Sequence, residues 1–421
     1  MNLKKLPMLG FSLTILIAIS SIAALLTPPN TVTAALSTLQ PNLTGTVAPA
    51  SRSTGDTLGP DLEQFPAGIS PLTGLPVSDP DLLDLPAVIV SLSNFPASAR
   101  PQTGLSFAPQ VYEIYISEGM TRFLTVFYGE MPTSNTAPDS EQMTSTPNQT
   151  TTTTPVPLGP SEQPGDNPSI EGVRSGREAY VPILNAFPNG CLVAASKAAT
   201  VNVKICKNVY GKDPNNINSA GLTVDQLVDI ARANQNPNRL PNYSGNVFSS
   251  QAPSGGQPAS KLEVFYAYLN QSYWQYDENA GAYIRYEDFA DPDRVGEFQV
   301  STDRLTGQPL TFENVVILYV EHVARTSTII DLKMDPGLTG RAVVLRNGEI
   351  YQNVMWSTVN EDYERASGLA RPIRLRYTDG TPFPLSPGNT WFHVATTSSA
   401  VWNLDLAGTW RYRYYPPQGA K

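Results

Sequence analysis

Apolar and β-branched residues fall along the chain in short runs divided by turn residues, a pattern that predicts strands more often than helices. LPAVIVSLSNFP (Leu85–Pro96) reads as one buried strand, and VYEIYIS and TRFLTVFY, between Val111 and Tyr128, as two more. The last two are close enough to form a hairpin over Gly119-Met120, where Gly at the first central position suits a type II′ turn. That turn would set Ser117 opposite Arg122, Tyr115 opposite Leu124 and Glu113 opposite Val126. Side chains alternate between faces, so Tyr112, Ile114, Ile116, Phe123 and Phe127 would form an apolar face. Glu113 and Arg122 would share the other face, too far apart to touch at ~3.3 Å per residue. Glu118 would lie on the face opposite Glu113.

GREAYVPILNAFP predicts a short helix, CLVAAS and VNVKIC predict strands, and LTVDQLVDIARANQ (Leu222–Gln235) predicts the clearest helix. Thr223 and Gln226 form its capping box, and Val224, Leu227, Val228 and Ala231 share one face. From Lys261 onward aromatic and β-branched segments follow one another: LEVFYAYL, SYWQYD, AYIRYEDF, NVVILYVEHV, TIIDLKM, RAVVLRNGEIYQNVMW, RPIRLRYT and NTWFHVAT. Asn347-Gly348 is a hairpin turn signal and Asp379-Gly380 a second turn. The expected class is α+β, with mixed and antiparallel sheets, a few helices and a mostly β C-terminal half.

Polar tracts divide the chain. Lys4 and Lys5 precede an uncharged, largely apolar run from Met8 to Leu26, then Thr27-Pro28-Pro29 and small residues near Ala34-Ala35. Residues 1–35 therefore read as a signal peptide or an uncleaved membrane anchor, and the rest as exported, secreted or held on the outer side of the cytoplasmic membrane. Residues 36–68 read as a disordered tether rich in Ser, Thr, Pro and Gly. A second tract, 132–169, has Val156 as its lone β-branched apolar residue and cannot bury enough surface to order itself. It reads as an insertion within an N-terminal α+β domain over 69–260, followed by a β-rich domain over 261–417. In an oxidising compartment Cys191 and Cys206 are expected to pair, closing a loop worth about 3 kcal/mol.

The net charge of −9 becomes −11 if Lys4 and Lys5 leave with the signal (−9 − 2). An acidic chain without a basic run lacks the electrostatic footprint of a nucleic-acid binder. It also lacks a polybasic patch for membranes, leaving the N-terminal segment as the expected membrane contact.

Candidate chemistry gathers around the hairpin. Two glutamates on opposite faces make a poor acid/base pair for glycoside hydrolysis, whose carboxyls must flank one bond. GVRSGR (Gly172–Arg177) returns just after the insertion and brings Arg174 and Arg177, forks suited to carboxylate or phosphate, toward the hairpin. No GxSxG elbow occurs. His322 and His393 lie in separate predicted strands, and Asp288, Asp291 and Asp293 lack the glycine and terminal glutamate of an EF-hand loop. No cofactor or metal is called for.

PLTGLPV, ARPQTGLSFAPQVYEIYISEGMTRFLTVF and GVRSGR resemble motifs of the YerB-like family of exported bacterial lipoproteins of unknown function. WQYDENAGAYIRY, RLTGQPLTFENVVILYV, GRAVVLRNGEIYQNVMWS and DGTPFPLSPGNTWFHV are similar to its C-terminal domain. The resemblance covers most of residues 70–400 and implies two domains of an α+β fold with no established activity. Carried over by position, its polar residues are Arg100, Gln102, Glu113, Glu118, Thr121, Arg122, Arg174, Ser175 and Arg177. The chain departs from the family in lacking a lipid-attachment Cys after the apolar run, and in having Pro214-Asn215-Asn216 where many members carry a Pro-His-Asn run. The leading expectation is a non-enzymatic envelope protein binding a small anionic or glycan ligand, or a protein partner. The alternatives are an envelope-polymer hydrolase or transferase using Glu113 or Glu118, and a structural scaffold.

Overall fold

The computed structural model describes residues 57–132 and 169–420. The segment 1–35, the tether as far as residue 56 and the insertion from 133 to 168 lie outside the described residues. The first strands are β1 (Val88–Ser93), β2 (Gln110–Ser117) and β3 (Met120–Phe127). They are followed by α1 (Val181–Asn185), β4 (Cys191–Ala194) and α2 (Val224–Asn234). Then come β5 (Lys261–Ala267), β6 (Asn270–Asp277), β7 (Ala282–Asp288), β8 (Asn314–Ala324), β9 (Thr339–Arg346) and β10 (Glu349–Ser357). The chain closes with α3 (Asp362–Ser367), β11 (Arg374–Tyr377), β12 (Thr390–Thr396), β13 (Ala400–Asn403) and β14 (Thr409–Arg413). This is the α+β architecture that the strand-rich pattern predicts.

Two large sheets dominate. The first runs β11-β10-β9-β8-β12-β2-β3-β1-β4 and ends on Lys207–Asn208, so both halves of the chain share one sheet. β12 joins them, lying parallel to β8 on one side and to β2 on the other, with Glu113 paired to His393. The second sheet runs Phe298–Val300, β7, β6, β5, β14, β13 and comes wholly from the second half. One face of the first sheet packs on the inner face of the second. Tyr115 stacks on Tyr414 with ring centroids 4.7 Å apart, and Trp274 meets Trp391 edge-on at 5.3 Å. In β5, Leu262, Val264 and Tyr266 point into this interface while Lys261, Glu263 and Phe265 face outward, the alternation expected of a sheet wet on one side.

Local signals explain most elements. The capping box of α2 forms as expected, with Thr223 accepting from the Gln226 amide and Gln226 accepting from the Thr223 amide. Asn347 and Gly348 both take positive φ in the β9–β10 turn. Cys191 and Cys206 are joined, with Cα atoms 5.5 Å apart. Three expectations are corrected. VNVKIC forms no strand, because the chain that brings Cys206 back to β4 pairs only at Lys207–Asn208. Residues 57–68 belong to the folded unit, where Leu58 bridges Phe248 and Phe65 is buried. The β2–β3 turn is Glu118-Gly119, both at positive φ, and not Gly119-Met120.

That turn, together with a bulge between Tyr115 and Ser117, reorders the hairpin. Glu113 pairs with Phe123 and Ile114 with Arg122, three residues away from the expected register (Val126 to Phe123). An odd displacement exchanges the two faces of β3. Phe123 joins Glu113 toward the second sheet, while Arg122 joins Tyr112, Ile114 and Ile116 on the other face. Position 119 needs glycine, since φ is +79° and an added Cβ would come 2.3 Å from the Cβ of Ala267.

Candidate functional site

The expected site residues divide into two groups on opposite faces of the first sheet. Glu113, on the face toward the second sheet, is fully buried and held by donors alone. Thr121 Oγ1 donates to its Oε1 at 2.9 Å, and Trp391 Nε1 donates to Oε2 at 3.3 Å. His393 Nδ1 also lies 3.3 Å from Oε2. Trp274 Nε1, which can only donate, meets His393 Nε2 at 3.0 Å. The ring proton is therefore on Nδ1, directed at the carboxylate and the nearby Tyr266 hydroxyl. Burial pushes the Glu113 carboxyl up. The His393 side chain, the Arg285 charge and the Thr121 hydroxyl outweigh it and hold the group below the usual carboxylate range.

The same network absorbs Arg100, Gln102 and Thr121. Thr121 Oγ1 accepts from Asn94 Nδ2 at 2.9 Å and from Asn270 Nδ2 at 3.3 Å, which uses its full hydrogen-bonding capacity. Arg100 donates to Asn94 and to Asp288, whose carboxylate lies 3.1 Å away, and Glu287 lies 3.5 Å from its Nε. Gln102 donates to the Ser93 carbonyl at 3.4 Å. These side chains are closed against protein. Glu118 stands apart, exposed in the turn. Glu113 and Arg122 thus neither share a face nor jointly meet the arginine motif, because the register sets them back to back.

The opposite face carries the second group. Residues 172–176 run beside the end of β1, where the Ser93 amide donates to the Gly172 carbonyl and the Arg174 amide to the Ser91 carbonyl. This pairing brings GVRSGR against the start of β3. Arg122, itself buried, donates to the Ser175 carbonyl at 2.7 Å and to its hydroxyl at 3.2 Å. Arg174 donates to Asn218 Oδ1 at 3.3 Å. Arg177 is half-buried, and its Nε has no hydrogen-bond partner among the described residues. Partial burial lowers the pKa of both Arg174 and Arg177, and the Arg122 charge lowers each further.

Among the described residues no carboxylate lies within ion-pairing distance of these three guanidinium groups. The nearest acids in sequence are engaged elsewhere: Glu178 with the Asn202 amide and Arg325, and Glu171 with Arg304. Uncompensated like charges held together destabilise a fold unless an anion joins them. The cluster lies beside the end of β1, where Ser93 pairs with Arg122 near the start of β3.

The arginines are legible in the sequence, whereas the surroundings of Glu113 are not. His393 is the strand residue it was expected to be, and it also lies against that carboxylate. The available signal was Trp391-Phe392-His393, which sets an indole and an imidazole on one strand face. His322 forms no part of either group. Burial pushes its pKa down to about 4, opposed by a 2.8 Å hydrogen bond with the Val320 carbonyl.

The N-terminal domain of the DUF3048 family, described as of unknown function, matches residues 72–137, and the C-terminal domain of the same family matches residues 262–392. Over 355 residues the chain is 23% identical to the "putative lipoprotein YerB" of Bacillus subtilis (strain 168), covering 79% of this chain and 87% of that one. The crystal structure of YerB from Bacillus subtilis superposes with a TM-score of 0.52 at 22% identity, covering 77% of this chain and 96% of that chain. This second likeness speaks to the fold.

Proposed function

The chain belongs to the YerB-like (DUF3048) family of unknown function, and from that premise we propose that it is an exported envelope protein that binds an anionic ligand without turning it over. The observation that carries this reading is the group of Arg122, Arg174 and Arg177, with no carboxylate partner among the described residues. Guanidinium forks bind phosphate and carboxylate oxygens in pairs, and partial burial strengthens such contacts. Export is supported by the basic and apolar N-terminal segment and by the description of the YerB relative as a putative lipoprotein. Binding is favoured over hydrolysis at Glu113, which is fully buried with its oxygens engaged by Thr121, Trp391 and His393. A general acid or base must reach its substrate.

Calorimetric titration with inorganic phosphate, a glycerol-phosphate oligomer and citrate tests the proposal. At least one anion should bind, with affinity falling as salt rises, and the Arg174→Gln/Arg177→Gln double variant should weaken it at least tenfold. Absence of binding at millimolar anion, or equal binding by a folded double variant, would overturn it.

A further inference from the structure

The outer face of the second sheet carries a row of aromatic and charged side chains. Trp402, Arg411, Glu263, Tyr273 and Tyr286 stand directly opposite one another on β13, β14, β5, β6 and β7. Above this row lies an open cleft of about 340 Å³, within the range of small-ligand sites. Glu263 holds its floor in place between Lys261 and Arg411.

Two groups in this cleft are uncommitted. Trp402 is 36% exposed, with no hydrogen bond to its indole among the described residues. Arg413 lies over the Phe265 ring at 5.1 Å and close to Tyr415 at 5.3 Å, and no carboxylate pairs with it among the described residues. The rings hold its guanidinium in place and leave its N–H groups unspent. Because Trp402 pairs with Arg411, Arg413 is its diagonal neighbour across β13 and β14, about 7–8 Å away. One sugar ring with an exocyclic carboxylate spans that gap.

We propose that this face binds a carboxylate-bearing saccharide, stacked on Trp402 and clamped through its carboxylate by Arg413. The C–H face of a pyranose complements the negative face of an indole, and the guanidinium fork matches the carboxylate. Glu263 and Lys261 supply an acceptor and a donor for ring hydroxyls. An anionic bilayer fits less well, since membrane attraction needs unopposed basic residues and Glu263 opposes Lys261 and Arg411 here.

Trp402 is also its own reporter. The other four of the five tryptophans, Trp274, Trp356, Trp391 and Trp410, are at most 4% exposed, so acrylamide quenching reads Trp402. Trigalacturonate or a hyaluronan tetrasaccharide should lower the quenching constant at least twofold. Arg413→Gln should raise the concentration for half-protection at least tenfold, and maltotriose should protect correspondingly weakly. Trp402→Phe should remove the quenchable component. The Arg174→Gln/Arg177→Gln variant should keep its protection, so this proposal and the anion proposal can fail separately. Protection by neither acidic saccharide, protection indifferent to Arg413→Gln, or protection by phosphatidylglycerol vesicles alone would overturn it.

Discussion

Replacing Thr121 with Val removes one oxygen at the centre of the buried network and leaves shape and β-branching unchanged. Thr121 Oγ1 donates to Glu113 and accepts from Asn94 and Asn270. A hydrogen bond to a charged group contributes about 1.5–3 kcal/mol. Asn270 Nδ2 keeps its bond to the Gly119 carbonyl, whereas buried Asn94 Nδ2 loses its partner, at about 1–3 kcal/mol. The expected cost is about 3–5 kcal/mol at pH 7. Urea unfolding followed by tryptophan emission measures it, since four of five tryptophans are buried. The pH dependence supplies a second reading. The folded Glu113 carboxyl is held below its usual 4.5. Its stabilising contribution is therefore present above that value and lost as pH falls through the folded pKa. Removing the hydroxyl removes one cause of the lowering, so the variant should lose less stability than the parent between pH 6 and pH 3. A cost below about 1 kcal/mol, or an unchanged acid dependence, would refute the account of Glu113 as a charge held by donors.

Trp274→Phe should cost about 1–3 kcal/mol by leaving His393 Nε2 without its donor, and nitrogen-15 spectra of the parent should show the His393 proton on Nδ1. Asp303→Ala should lower the melting temperature more than a surface substitution does, at a cost of about 3–5 kcal/mol. Its buried carboxylate accepts from the Gly104 and Ser106 amides, the Ser106 hydroxyl and the Leu305 amide. Reducing the Cys191–Cys206 bond, which spans 15 residues, should cost about 3 kcal/mol in unfolding experiments with and without dithiothreitol.

Much of the fold was legible where short-range rules decide it. The helix at Val224–Asn234 is announced by its capping box and apolar face, and the β9–β10 hairpin by Asn347-Gly348. The arginine motif was legible in part. Its return directly after the polar insertion predicted that it would meet the hairpin, and Arg122 does reach Ser175. The surroundings of Glu113 were not legible, because its partners Trp391 and His393 lie on β12, with Trp391 278 residues further along the chain. No local pattern records which distant strand will pair with β2, or in what register.

The sequence by itself therefore determined the α+β class, the main strands and helices, and the presence of two arginines near a charged hairpin. Tertiary structure decided which face each charge occupies and what stands opposite it. The turn at Glu118-Gly119 moves the pairing by two residues and the bulge between Tyr115 and Ser117 by a third, and in a strand of period two that odd total exchanges the two sides. In that register Gly119 lies close against Ala267, and β2 pairs with β12 along its other edge. Glu113 is thereby enclosed between the sheets, and Arg122 faces the arginines on the other side.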